Sequence, residues 1–317
     1  MKLHLDKDIF KQFINKINSE TNIDTDILEK DYYVCCVLKE LSEKQDYLKA
    51  YFKGGTAVYK MLNTTNRFSE DIDLTVKVLE NQSKTQNVKR LKDSALDYKI
   101  DGLELLKEEC IDNKGSVTSI YKYDTVFNIE DLPLHRAGKI QIESTSFTVS
   151  EPTEQYSIEP MLYKFASENE KQILKEEYNV SSIELEIIKL ERIFVDKLFA
   201  AEFYYIRDMY TDMTKHLYDI AVLYENEKIK TLINNKNEFM RLVEYKRTEE
   251  TYRKGGIDSS LKIQNFTCLK ADFNNEMIKS FNNMQDKYIL KDKYKLYLKD
   301  ISETLENIKD IMSKYNI

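Results

Sequence analysis

At 317 residues the chain has room for about two domains and can bury most of its unfolded surface without disulfide or metal staples. With 42% hydrophobic and 32% charged residues, but only 7 glycines and 3 prolines, it excludes collagen, low-complexity disorder and a turn-rich β-sandwich. A net charge of −7 excludes a generic basic nucleic-acid coat, so an RNA substrate would need a local basic face.

The spacing of apolar residues predicts helices over 8–18 and 26–44, the second capped by Asp24 or Thr25. Residues 48–52 read as a short strand that runs into the turn signal Gly54-Gly55, and 56–62 as one or two helical turns. The segment 71–78 (DIDLTVKV) alternates polar and apolar residues, as a half-buried strand does. Residues 82–110 carry a charged helical pattern, while 116–127 and 139–147 alternate again as strands. From about Glu184 helical patterns dominate, over 185–207, 212–224, roughly 228–245 and 285–315. Arg253-Lys254-Gly255-Gly256 is the Gly-bearing break among them. The composition shift near 165–180 divides the chain into an α/β part, residues 1–170, and a helical part, residues 171–317, expected to pack closely. The expected class is α+β with a mixed sheet.

No apolar run approaches the 18 or so residues a membrane helix requires, and the N-terminal MKLHLDKDIF lacks the apolar stretch of a signal peptide. Cys35, Cys36, Cys110 and Cys268 form no CxxC pair and read as reduced core thiols. A soluble cytoplasmic protein with no membrane partner is expected. His135 and His216 are the only histidines beyond the N-terminus, so neither a zinc site nor a Ser/His/Asp triad is expected.

The chemistry concentrates in FKGGT at 52–56 and RFSEDIDL at 67–74. Gly54 and Gly55 let the backbone approach a phosphate, and a helix beginning near Thr56 would aim free N–H groups at it. Asp71 and Asp73 project from one face of the following strand, with Ile72 and Leu74 turned the other way. Two adjacent carboxylates repel unless a divalent cation lies between them, and oxygen-only ligands suit Mg²⁺ or Mn²⁺. Phosphate turn and carboxylate pair together are the equipment of nucleotidyl transfer from an NTP, in which a third carboxylate takes part. Alone, the D-x-D spacing would equally fit the wet face of an edge strand. Arg67 and Ser69 either touch phosphate oxygens or shape the loop. Lys60 either reaches the γ-phosphate or lies on the surface.

The combination GGT…RFSEDIDL resembles the nucleotidyltransferase toxins of the AbiEii/AbiGii type, within the polymerase-β-like nucleotidyltransferase superfamily. Glu29-Lys30-Asp31-Tyr32-Tyr33-Val34, Glu191–Leu198 (ERIFVDKL) and Lys215–Ile220 (KHLYDI) resemble further segments of that family, in family order, over about residues 28–225. The resemblance implies a polymerase-β-like core and a helical domain that closes the active-site cleft. It assigns Lys197 to the active site and places Asp219 in the cleft, where it would orient or deprotonate the acceptor hydroxyl. Glu143, on an alternating strand, takes the position where the superfamily often carries its third acid; a solvated strand face would look the same. Lys197 lies in an apolar helical stripe, so it either snorkels out or reaches a buried anion such as a triphosphate. Asp219 follows Lys215 by four residues, and an ordinary helical ion pair is the plain alternative.

By resemblance the protein is the toxin of a toxin–antitoxin or phage-defence pair, with a cognate antitoxin and with RNA, notably the 3′ end of tRNA, as acceptor. Arg241, Lys246, Arg247, Arg253 and Lys254, interleaved with Tyr245 and Tyr252, form the densest basic-aromatic segment and suit either RNA or a solvated helix end. A protein-modifying nucleotidyltransferase and a GTP-binding regulatory module without turnover are the competing readings.

Overall fold

The computed structural model describes residues 1–62, 67–128, 137–253 and 255–317. Lys254 and His135, named among the basic and histidine residues above, lie outside them. The described residues fall into two compact units: one within Met1–Thr64, Phe68–Ser146 and Thr153–Ile187, the other within Thr65–Arg67, Phe147–Pro152 and Ile188–Ile317.

The first unit is built on a mixed sheet of strands β1 (Ala50–Lys53), β2 (Ile72–Val76), β3 (Leu103–Leu105), β4 (Ile111–Asn113), β5 (Ser116–Tyr123), β6 (Lys139–Thr145), β7 (Thr153–Ile158) and β8 (Ile183–Ile188). Their order is β3-β5-β6-β2-β1-β8-β7, with β4 against β5. The central strand β2 runs antiparallel to β1 and parallel to β6. Its alternation has the expected effect: Ile72 and Leu74 are fully buried while Asp73 stays half-exposed.

Among the described residues this unit contains the helices α1 (Lys7–Thr21), α2 (Thr25–Leu48), α3 (Gly54–Met61), α4 (Lys84–Leu96), α5 (Met161–Lys164) and α6 (Glu168–Glu176). Helix α2 is buried nearly all round its middle, including the consecutive charged residues Glu29, Lys30 and Asp31. The second unit contains α7 (Leu190–Tyr205), α8 (Tyr210–Tyr224), α9 (Glu227–Ile233), α10 (Lys236–Tyr252), α11 (Asn275–Tyr288) and α12 (Leu298–Tyr315). Helices α7 and α8 form its centre through Ile193, Phe194, Leu198, Leu217 and Ile220.

Four elements differ from expectation. The helix expected over 82–110 ends at Leu96; beyond it Asp101-Gly102 turns, Gly102 at a φ of +79°, into the short strand β3. The start of the 185–207 pattern is β8, because IELEII alternates with period two and Phe52 of β1 pairs with Ile187. The 228–245 pattern splits where the Asn235 side chain accepts from the Glu238 N–H and caps α10. The 285–315 pattern also splits. The Gln285 amide accepts from the Leu296 N–H (2.7 Å) and donates to its carbonyl (3.1 Å), closing a loop between α11 and α12. Strand β7 carried too little alternation to be foreseen. Cys110 is half-buried rather than in the core, and all four thiols are unpaired.

Candidate active site

In the first unit the glycine turn and the carboxylate strand meet. Lys53 ends β1 in an extended conformation, and Gly54 turns the chain at a φ of +83°. A β-carbon at Gly54 would fall onto the Asp73 carboxyl group, 2.8 Å from its Cγ and 2.9 Å from its Cβ. Backbone conformation and the closeness of Asp73 each demand glycine there. Helix α3 starts at this point with no side-chain cap from Lys53, so the positive end of its dipole begins beside Asp73.

Thr56, expected among the nucleotide-binding groups, is fully buried, and its Oγ1 donates to the Asp71 carbonyl at 2.5 Å. Its hydroxyl therefore ties the glycine helix to the carboxylate strand. Lys60, expected at the γ-phosphate or on the surface, is buried instead. Its ammonium lies 2.6 Å from Asp31 Oδ1 and donates to the Glu159 carbonyl at 2.9 Å. That charge is used inside the fold.

Asp73 lies opposite Lys53 on β1 and opposite Glu143 on the parallel strand β6. Glu143 is half-exposed between buried Ile142 and Ser144, as Asp73 is between Ile72 and Leu74, so the two carboxylates share a sheet face about 4.8 Å apart in the backbone. Asp71, half-exposed, stands two residues before Asp73, and Ser69 is half-exposed two residues earlier. These oxygens are the donor chemistry of Mg²⁺ or Mn²⁺. Among the described residues, however, no three His, Cys, Asp or Glu side chains converge on one point. The carboxylates are neighbours on a sheet, not a closed cage.

The second unit holds the other expected residues. Asp219 on α8 does not pair with Lys215, which turns to Asp212. It accepts instead from Arg67, Nε to Oδ1 and Nη2 to Oδ2, both at 2.8 Å, and lies 2.8 Å from the Lys197 ammonium on α7. All three side chains are buried. Lys197 therefore neither snorkels nor stands alone: a buried anion does meet it, and that anion belongs to the protein. Burial by itself would push the Asp219 carboxyl up, but Arg67 and then Lys197 more than offset this and hold it well below the usual carboxylate range. A carboxylate so stabilised is a poor proton acceptor, which argues against the expected deprotonating role and for one in orienting cations. His216, stacked on Tyr204 at 5.3 Å, is kept neutral chiefly by burial and then by the Lys197 charge, which together push it well below its ordinary value.

Residues 36–315 match the family profile described as "Nucleotidyl transferase AbiEii toxin, Type IV TA system". The chain belongs to this family. It is accordingly a nucleotidyltransferase and a toxin of a type IV toxin–antitoxin family, for which a cognate antitoxin is implied. No individually curated protein matches it. The match takes in the glycine turn, the carboxylate strand, Lys197 and Asp219, whereas Glu29-Lys30-Asp31 lies just upstream of it.

In this AbiEii-family chain the basic-aromatic segment is less basic than its sequence suggests. Arg241 pairs with Glu238 at 2.6 Å and Arg247 with Glu244 at 2.7 Å, each with a carboxylate one turn earlier on α10. Arg253 stacks on Phe203 with its Cζ 3.7 Å from the ring centre, and Arg207 does so at 3.8 Å, a spacing that puts the two guanidiniums on opposite faces of the ring. No helix among the described residues is long and apolar enough to cross a membrane.

The residues missed from sequence are the partners. Arg67 was readable only as a loop or phosphate residue, although an arginine in a chain with just eight of them was a signal worth weighing. Glu70, between Ser69 and Asp71, pairs with Lys30 and gave no signal of its own.

Proposed function

We propose that this nucleotidyltransferase moves a nucleoside monophosphate from an NTP to an acceptor hydroxyl on RNA, the 3′ end of tRNA being the favoured acceptor. The acceptor oxygen attacks the α-phosphorus, the bond from that phosphorus to the β-phosphate bridging oxygen breaks, pyrophosphate leaves, and the hydroxyl proton passes to solvent. The observation that carries the reading is Asp73, held between the start of the glycine helix and Glu143 of the adjacent strand.

Asp71, Asp73 and Glu143 would hold Mg²⁺ or Mn²⁺, which when bound neutralises the charge that develops on the phosphoryl oxygens. Gly54 and Gly55 at the helix start, and Ser69 in the segment before β2, would offer the phosphates backbone N–H and hydroxyl donors. The family resemblance would add the charge of Lys197, which Asp219 orients. Blocking tRNA ends would stop translation, which fits a toxin restrained by its antitoxin and used against phage. Four unpaired cysteines favour a reducing cytoplasm.

Each NTP labelled at the α-phosphate, incubated with the protein, total cellular RNA and a cell extract, tests the proposal. Label in RNA supports it. Label in protein would make this a protein-modifying nucleotidyltransferase, and bound nucleotide without label transfer would leave only a regulatory nucleotide-binding role.

A further inference from the structure

Three consecutive charged residues on α2 are buried, and each finds its partner on a different segment. The Glu29 carboxylate accepts from the Thr125 hydroxyl and from the Val126 N–H at 2.9 Å. Asp31 accepts from the Tyr59 hydroxyl, from the Met161 N–H at 2.7 Å and from Lys60 at 2.6 Å, so it fixes the C-terminal half of α3. Lys30, with 1% of its side chain exposed, meets the Glu70 carboxylate at 3.1 Å.

A buried ion pair costs desolvation on both sides, and a well-packed apolar pair of similar volume would serve stability as well or better. What an apolar pair would lose is direction. Glu70 is covalently joined to Asp71, whose carbonyl accepts from the Thr56 hydroxyl. The carboxylate strand thus enters the sheet with two polar anchors, Thr56 from the glycine helix and Lys30, through Glu70, from α2.

We propose that Lys30, acting through Glu70, is a positioning residue that sets the direction in which Asp71 presents its carboxylate. The inference rests on the nucleotidyl-transfer reading for what Asp71 does, but the fixation of the 68–74 segment is testable by itself.

The test compares the parent protein with Lys30→Met/Glu70→Leu, which removes both charges together, and with Lys30→Arg, which keeps the pair. Hydrogen–deuterium exchange, thermal melting, NTP binding by equilibrium dialysis and turnover are measured on each. In the double variant the melting temperature should hold, exchange at residues 68–74 should rise at least tenfold, and kcat should fall at least tenfold with NTP affinity changed less than threefold. Lys30→Arg should restore slow exchange and keep kcat within threefold of the parent. A double variant with parental exchange and parental kcat would overturn the proposal. So would one that unfolds or exchanges faster throughout the unit, because the pair would then be a general stabilising contact. If the parent transfers no nucleotide to any acceptor, the functional reading fails, while the exchange of 68–74 still decides the positioning role.

Discussion

Asp73 and Asp219 are the same residue type in opposite surroundings. Asp73 is half-exposed on a sheet face, pressed against a glycine and in register with another carboxylate. Asp219 is buried, and two cations grip both of its oxygens. A carboxylate of the first kind lies where solvent or a ligand can reach it. One of the second kind has given its lone pairs to cations and can hold them in place but has little left to offer a proton or a metal. The two regions thus differ in kind: one presents carboxylates at a sheet face, the other holds two cations around a buried carboxylate.

The largest expected effect lies in the first region. Asp71→Asn or Asp73→Asn should lower nucleotide transfer about a hundredfold or more, with the melting temperature unchanged, since each change removes charge without altering size. Transfer assays paired with thermal melts check this; turnover near that of the parent in either variant removes the carboxylate pair from the chemistry.

In the second region the pattern should reverse. Asp219→Asn strands two buried cations and should cost roughly 3–5 kcal/mol in a urea-denaturation experiment. Lys197→Met keeps the apolar stem and leaves the Arg67–Asp219 pair in place, so stability should stay within about 1 kcal/mol while transfer falls at least about tenfold, some 1.4 kcal/mol of transition-state stabilisation. A stable Asp219→Asn protein would show that the cluster is not the cation anchor it is taken for.

Glu143→Gln sharpens the comparison, because Glu143 shares the sheet face of Asp73 but no buried cation. Slowed turnover with NTP binding spared would enlist it with the aspartates; a change under about 0.5 kcal/mol in both would leave it a solvated strand residue.

The smallest effect is a pH dependence. His216 is depressed in the folded protein, so as pH falls through the ordinary histidine value near 6.5 the unfolded chain takes up a proton that the folded one refuses. Stability should decline across that window, and His216→Gln should flatten the slope. Asp219, also depressed, should begin to cost stability only below the ordinary aspartate value near 3.8. Denaturation midpoints across pH 3–8 separate the two.

Much of the first region was legible because its signals are local. Gly54-Gly55, the D-x-D spacing and the alternation of 139–147 each follow from a few neighbouring residues, and the strand register then places Glu143 beside Asp73. The second region was legible only in part. Lys197 stood out as a charge in an apolar stripe, yet its partner Asp219 lies 22 residues on, and Arg67 lies 130 residues before it in sequence. Such pairings depend on how helices pack, which no local pattern encodes. The same limit explains Lys60, whose burial against Asp31 could not be read from its helix, and the two long helical patterns that a side-chain cap and the Gln285 loop cut in two. It also explains β8, where an alternating hexapeptide ran directly into a helical stripe.

The most direct measurement of the central claim is the transfer of α-phosphate label from NTP to RNA by Asp73→Asn, at a protein concentration and temperature where this variant is as folded as its parent. The account predicts no label above background in RNA. Label accumulating at the parental rate would contradict it and would move the chemistry away from the carboxylate strand.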